Sequence, residues 1–148
     1  MKLGKLLAAA LLTVAVAFSA SARDEYLRDS SSLPKAAQST LSKNFKAKVS
    51  LIKVDKSFGR IDEYDVVLTD GTEISFDRQG NWKEVETSAQ KSVPSAFVPA
   101  AAQRYVKEQH KGQHIVGIER TRGGYDVELS NGIDIKFNDA GSFVKYDD

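Results

Sequence analysis

The sequence predicts an α+β protein made of two tandem repeats, each a helix followed by a meander of four antiparallel strands. Residues 64–80 recur as residues 125–141, with eight of the seventeen positions identical. The identities fall on alternating apolar positions and on turn glycines, which are positions that determine a fold. A helix signal precedes each copy, so we expect an antiparallel sheet with both helices packed on one face. The pattern leaves open whether this is one layer of about eight strands or two separate layers.

The chain begins with the pattern of a signal peptide over residues 1–22. Two lysines precede an apolar run at residues 6–18, which is short for a membrane span. Small residues follow, which predicts cleavage between Ala22 and Arg23. An uncleaved anchor is the alternative. The expected destination is the periplasm or the exterior of a Gram-negative cell, without stable membrane insertion.

The composition of the mature chain excludes several classes of protein. Loss of two lysines leaves 19 basic and 20 acidic residues, so the formal net charge changes from +1 to −1. This balance argues against a nucleic-acid partner, which needs a clustered basic surface. The chain has no cysteine, so disulfides and thiolate chemistry are absent. Residues 23–32 are polar and without a period, and we expect a flexible leader there.

The folded domain is expected at residues 33–148, with repeats at 33–86 and 93–148. Pro34 and Pro99 mark the two helix starts, because proline at the first turn of a helix leaves no additional N–H group unpaired. Apolar side chains follow each proline at four-residue spacing, as on one face of a helix. These positions are Leu33, Ala37, Leu41 and Phe45 in the first repeat, and Ala102, Val106 and His110 in the second.

The strands and turns follow each helix in the same order. In the first repeat we expect a strand at residues 49–56, a loop at residues 58–63, and a strand that places Tyr64 and alternate residues on the buried face. Asp-Gly at residue 70 and Asn-Gly at residue 131 indicate tight hairpins in which both central residues have positive φ. The remaining segment, residues 86–97, would link the repeats.

This order of motifs is similar to a known family. A Leu-Pro or Val-Pro helix start, a strand, and then Tyr-Asp-Val-x-Leu-x-Asn/Asp-Gly-x-x-Ile-x-Phe-x-x-x-Gly resemble the PepSY-like proteins that are described as similar to β-lactamase-inhibitor protein. The resemblance covers residues 33–148 and is best at residues 115–148. It implies an exported two-repeat α+β protein that inhibits or sequesters a partner protein, for example a peptidase. The motif consists of fold residues, so the implied activity depends on the likeness alone.

No constellation of residues points to catalysis, a cofactor or a metal. His110 and His114 have the spacing of helical metal ligands, but Gly112 interrupts the helix, so we interpret them as a packing residue and a strand-entry residue. The acidic segments 77–81 and 138–141 lack the ligand spacing of calcium loops and are interpreted as turns. The carboxylates at Asp62, Glu63 and Asp65, and those at Asp147 and Asp148, are expected to be solvated.

Three residues are candidates for contact with a partner. Phe58 is an aromatic residue in a loop with no counterpart in the second repeat, and aromatic residues dominate protein interfaces. Val67 interrupts the charged outward face of the sheet, and Trp82 is the only tryptophan. The alternative for each is local packing. The outward positions are expected to form a solvated face that could also dock a partner; they are Asp65, Glu73, Asp126, Glu128, Asp134 and Lys136.

The function predicted from the sequence is a non-catalytic periplasmic binding module. It would inhibit or sequester an unidentified envelope protein through its sheet face and loops. The alternative is a small-ligand-binding or envelope-sensing protein with a pocket between helices and sheet.

Overall fold

The computed structural model describes residues 24–147, which form two α-helices and nine β-strands. The predicted signal peptide and its cleavage site lie outside the described residues. The helices are α1 (Lys35–Asn44) and α2 (Ala100–Gln109). The strands are β1 (Glu25–Leu27), β2 (Val49–Ser57), β3 (Arg60–Leu68), β4 (Glu73–Asp77), β5 (Trp82–Glu86), β6 (Ile115–Thr121), β7 (Gly124–Leu129), β8 (Asp134–Asn138) and β9 (Phe143–Asp147).

The strands form an antiparallel sheet whose hydrogen-bonded order follows the chain order from β1 to β9. The α+β class and the antiparallel sheet are therefore confirmed. The additional strand is β1, so the expectation of a flexible leader is wrong for residues 25–27. These residues pair with β2, and Lys56 Nζ lies 2.6 Å from Glu25 Oε1. The ladder and the ion pair order a segment whose own sequence has no period.

The chain divides into two compact units, and the boundary falls inside β5 between Lys83 and Glu84. In the unit of residues 24–83, α1 begins after Pro34, as predicted. Its buried side chains, Ala37 and Leu41, belong to a core completed by the strands. The other members of this core are Leu33, Ile52, Val54, Tyr64, Val66, Leu68, Ile74 and Phe76.

The unit of residues 84–147 also has a helix that follows a proline and packs its apolar side chains against the strands. Helix α2 begins after Pro99 and buries Ala102 and Val106. The segment expected to be a linker is tied to β6, because Val93 N donates to Ile115 O at 2.8 Å. The core of this unit consists of Val85, Val93, Phe97, Val98, Ala102, Val106, Ile115, Val116, Ile118, Val127, Leu129, Ile135 and Phe137.

The β3–β4 and β7–β8 hairpins differ from the predicted tight turns. Positive φ is confined to Gly71 (88°) and Gly132 (89°), whereas Asp70 and Asn131 keep ordinary backbone angles. The side chains of the two polar residues instead accept hydrogen bonds from the backbone two residues later. In the first hairpin, Thr72 N donates to Asp70 Oδ1 at 3.0 Å. This Asx geometry widens each connection, so a four-residue connection replaces the expected two-residue turn.

The predicted loop at residues 58–63 is wrong. β2 and β3 continue to a two-residue turn at Phe58 and Gly59, whose φ values are 52° and 75°. Positive φ at both central residues is what a type I′ hairpin turn requires. A phenylalanine is uncommon at such a φ, which is why the sequence suggested a longer loop.

Gly80 is placed where α1 meets the turn between β4 and β5. A Cβ there would lie 2.9 Å from both Ala37 N and Pro34 Cβ, and φ is +91°. Gly71 has a similar φ of +88°, but a Cβ at that position would have no neighbouring atom within 4 Å. The two glycines therefore differ in packing and share the same backbone requirement.

We expect Gly80→Ala to lower the free energy of unfolding more than Gly71→Ala does. Both changes cost about 1 kcal/mol for alanine at positive φ, and Gly80→Ala adds about 1–3 kcal/mol for the clash with α1. Urea unfolding followed by circular dichroism measures both variants. Equal losses in the two variants would contradict the close approach of α1 to this turn.

Candidate functional site

The polar face of the sheet is more buried than the sequence predicted. The expectation of a solvated face is wrong for Asp65, Glu73, Asp126 and Asp134, whose exposed fractions range from 1% to 8%. Lysine side chains on neighbouring strands close over the shorter carboxylates. Lys136 Nζ lies 2.9 Å from Asp126 Oδ1 in this way, while Glu128 and Lys136 themselves are half-buried.

Three carboxyl groups of the unit of residues 24–83 meet on this face, and we call them the carboxyl cluster. They belong to Asp55, Glu63 and Asp65, and one oxygen from each lies within 4.8 Å of the others. The strand register explains the meeting. Asp55 on β2 stands opposite Glu63 on β3, and Asp65, two residues further along β3, points to the same face.

The surroundings of Asp65 favour its protonated form. Burial, followed by the hydrogen bond and negative charge of Glu63, raises the pKa of Asp65 to about 8. The 2.9 Å hydrogen bond that Ser75 Oγ donates to Asp65 Oδ1 acts in the opposite direction and lowers the pKa of Asp65. Burial raises the pKa of Glu63, but the hydrogen bonds from Asp65 and Lys83 outweigh it and the pKa is lowered overall. The pair therefore shares one proton, and Glu63 carries the negative charge.

Two lysines balance the charge that remains in the cluster. Lys53 Nζ lies 3.2 Å from Asp55 Oδ1, and Lys83 Nζ lies 2.5 Å from Glu63 Oε1. With Asp65 protonated, two carboxylates face two ammonium groups. The three carboxyls and two lysines then carry no net formal charge, whereas a calcium site presents carboxylates without such counter-charges. Further acidic groups, among them Asp24 and Asp77, lie around these five side chains. The chemistry of the cluster is that of a proton-sharing network at the surface of the sheet.

The strands that carry the cluster continue beyond it as a two-stranded projection, which we call the β2–β3 arm (residues 56–62). β1 pairs with β2 only as far as Val54, and β4 pairs with β3 only from Glu63 onward. The arm itself has two ladder pairs, Lys56 with Ile61 and Ser57 with Arg60. The cluster therefore lies at the base of the arm.

Phe58 forms the tip of the β2–β3 arm. Its side chain is 99% exposed, and it is the only non-glycine residue with positive φ among residues 24–147. A bulky residue at φ 52° is strained, and strained residues concentrate at functional sites. The tip thus presents an aromatic ring that contacts little of its own unit.

The other two predicted contact residues lie apart from Phe58. Val67 is half-buried near the far end of β3, about 25 Å from the tip at the usual rise per strand residue. Trp82 is half-buried at the start of β5. The structure therefore does not bring the three residues together.

The two histidines are in the unit of residues 84–147 and have separate partners. His110 caps the end of α2, and its Nε2 lies 2.9 Å from Tyr146 Oη. His114 Nε2 lies 2.9 Å from Ala89 O. Tyr105 joins the first group, with its ring stacked on Phe143 at 4.8 Å. This aromatic group attaches β9 to α2. Residues 77–81 and 138–141 form turns, as predicted.

Sequence reasoning missed the carboxyl cluster, although one signal was present. Glu63 and Asp65 are two residues apart on a central strand, so their side chains share a face. The facing Asp55 becomes apparent only from the register of β2 against β3. The lysines that cover these carboxyls come from a second and a third strand, which no single-strand pattern reveals.

The chain belongs to the PepSY-like family. The family described as "Putative beta-lactamase-inhibitor-like, PepSY-like" matches residues 62–145, which is more than half of the chain. The resemblance noted from the motifs is therefore confirmed. None of the curated proteins compared with the chain matches it.

Three solved structures share the fold and a substantial part of the sequence. A "putative periplasmic protein of unknown function" from Bacteroides vulgatus is 40% identical, with a TM-score of 0.78 over 84% of this chain and 99% of that one. A "putative calcium-regulated periplasmic protein" from Bacteroides thetaiotaomicron is 33% identical, with a TM-score of 0.76 over 84% and 97%. A "putative periplasmic protein" from Bacteroides vulgatus is 32% identical, with a TM-score of 0.75 over 87% and 100%. Within residues 24–147, no helix has the length and apolar character of a membrane span.

The raised pKa of Asp65 predicts the pH dependence of stability. The unfolded carboxyl loses its proton near pH 4, whereas the folded one keeps it to about pH 8. The folded state binds more protons in this window, so the free energy of unfolding falls as the pH rises from about 4 to 8. Each unit of separation between the two pKa values contributes about 1.4 kcal/mol.

We expect Asp65→Asn to remove most of this decline, which urea unfolding at several pH values would measure. The exposed Asp139, in the unit of residues 84–147, provides a matched control. Asp139→Asn should retain the wild-type slope. A decline of the same size in Asp65→Asn and the wild type would show that another group is responsible.

Proposed function

We propose that the protein is a non-catalytic periplasmic module that sequesters a protein of the cell envelope by inserting Phe58 into an apolar pocket of that protein. The single observation that carries the proposal is the state of Phe58, which is strained and fully exposed at the tip of a projecting arm. Both properties cost free energy in the isolated protein. Burial of the ring in a partner would offset them, with about 1.5–3 kcal/mol for the side chain.

The shape of the arm supports protein capture. A narrow projection with an aromatic tip enters a concave surface, and a few buried aromatic residues provide most of the binding energy at protein interfaces. Arg60 is exposed next to the tip, and Ser57 Oγ donates to Asp62 Oδ2 across the arm. These polar groups would form the rim around a buried Phe58.

The comparisons support the cellular location and the general role. The solved relatives are described as periplasmic, and the family name refers to inhibition of an enzyme. The two halves of the chain, each with a helix and its strands, would be copies of one unit, of which only the first carries the long arm. The imidazoles of His110 and His114 hydrogen-bond to a tyrosine and to a backbone carbonyl, which supports a non-catalytic role.

The alternative, a small-ligand-binding protein, would use a groove in the unit of residues 84–147. This groove has a volume of about 490 Å³ and runs beside α2. Its lining includes the apolar side chains of Val98, Val106 and Ile115 and the polar side chains of Gln103, Lys107 and His110. Because the strained and fully exposed Phe58 is the more unusual feature, the arm is the better-supported site.

Phe58→Asn separates the role of Phe58 in binding from its role in folding. Asparagine tolerates positive φ, so we expect the free energy of unfolding to stay the same or rise by up to about 1 kcal/mol. Binding to the partner should weaken at least about tenfold, which corresponds to about 1.4 kcal/mol. The matched control is Arg122→Asn at the two-residue β6–β7 turn, which should leave binding unchanged.

The binding measurement uses a photo-crosslinking phenylalanine analogue at position 58 in the full chain, exposed to the envelope fraction of its own organism. We expect one discrete crosslinked species that excess wild-type protein removes and excess Phe58→Asn does not. The same analogue at position 122 should give no such species. Equal competition by both proteins, or equal products from both positions, would overturn the proposal.

One solved relative is described as calcium-regulated. The response of the carboxyl cluster to calcium would show whether this chain shares that property. Because two lysines and one proton already balance the cluster, we expect millimolar calcium to change the melting temperature by less than about 1 °C. Differential scanning calorimetry with calcium, and with magnesium as the control cation, measures the change. A calcium-specific rise of several degrees, lost in Asp55→Asn, would instead indicate a cation site.

A further inference from the structure

The carboxyl cluster lies at the base of the β2–β3 arm, in the unit of residues 24–83. Asp55 and Glu63 form the last ladder pair before the arm, and Asp65 stands opposite Lys53 two pairs earlier, on the same face. Beyond Asp55 and Glu63 the register shifts between Asp55 and Lys56, which leaves Asp62 as an additional residue on β3. A bulge next to the last pair shared with the sheet is a natural hinge.

Few other contacts restrain the arm. Its two ladder pairs connect its own strands to each other, and neither connects them to a neighbouring strand. The ion pair of Lys56 with Glu25, at 2.6 Å, joins one side of the arm to β1. Asp55 and Glu63 are therefore the last pair through which the sheet holds the arm.

We propose that a proton shared by Glu63 and Asp65, at the base of the β2–β3 arm, holds the arm in its binding-competent direction, so that loss of this proton releases the arm and weakens capture of the partner. The inference rests on the proposed function of the arm. With the proton in place, Asp65 donates to Glu63, and Lys83 and Lys53 hold the two ionised carboxylates. Without it, three negative charges within 4.8 Å face two ammonium groups.

The charged and titratable groups around Asp65 determine the direction of this effect. Four strands and the residue that precedes β1 contribute them. Acidic groups outnumber basic ones, so ionisation of Asp65 adds repulsion that the two lysines cannot cancel. The set comprises Asp24 before β1, Lys53 and Asp55 on β2, Glu63 on β3, Glu73, Ser75 and Asp77 on β4, and Lys83 on β5. The raised pKa of Asp65 places the change near pH 8.

The absence of cysteine from the chain permits a direct measurement of the arm. Nitroxide labels at Phe58→Cys and at Lys43→Cys, an exposed position on α1, report the distance between the tip and the same unit. We expect a narrow distance distribution at about pH 6 that broadens about twofold at about pH 9. Asp65→Asn keeps a donor toward Glu63 and should remain narrow throughout. Asp126→Asn, on the sheet of the other unit, should broaden as the wild type does.

A second measurement connects the motion of the arm to capture. The competed crosslink at position 58 should fall at least about fivefold between about pH 6 and pH 9 in the wild type, and should stay constant in Asp65→Asn. An unchanged distance distribution in protein that circular dichroism shows to be folded would overturn the inference and leave the proposed function intact. A distribution that broadens without any competed crosslink at either pH would instead remove the proposed function.

Discussion

The alternation of side chains along β3 is the constraint on which the rest of the structure depends. Successive residues of a strand point to opposite faces, so Tyr64 and Val66 join the core while Glu63 and Asp65 must share the other face. β3 is flanked on both sides, so its outward carboxyls have neighbours on β2 and β4 and lose most of their contact with water. Buried carboxyls need hydrogen bonds or opposite charges, and Ser75, Lys53 and Lys83 supply them.

The same constraint connects the core to the arm. Packing of the apolar face fixes the register of β2 against β3, because a slip of one residue would exchange the two faces. That register places Asp55 opposite Glu63 and continues into the turn at Phe58. Packing of α1 on the apolar face of the strands therefore helps to fix the register that positions the tip at Phe58. This is the physical reason why a fold motif and the exposed aromatic tip occur in one segment.

Features that depend on local sequence could be predicted, and those that depend on neighbouring strands could not. The helix starts at Pro34 and Pro99 and the buried positions Ala37 and Ala102 follow from proline chemistry and four-residue spacing. The length of the β2–β3 arm was misjudged because a phenylalanine in a type I′ turn contradicts the usual preference for asparagine and glycine.

The burial of Asp65 was missed for a different reason. An isolated strand pattern shows that a side chain points away from the core, but it does not show which side chains lie beside it. Two lysines, from strands before and after β3 in the chain, create the environment of this carboxyl. The carboxyl cluster is therefore a tertiary property, whereas the exposed aromatic tip is a local one.

Trp82 gives the protein a single indole fluorophore. This residue belongs to the compact unit that carries the arm, two positions before the boundary at Glu84. Tyr105, Tyr125 and Tyr146 belong to the other unit. Selective excitation of the indole thus reports the surroundings of β5 at the edge of the unit of residues 24–83, without any added dye.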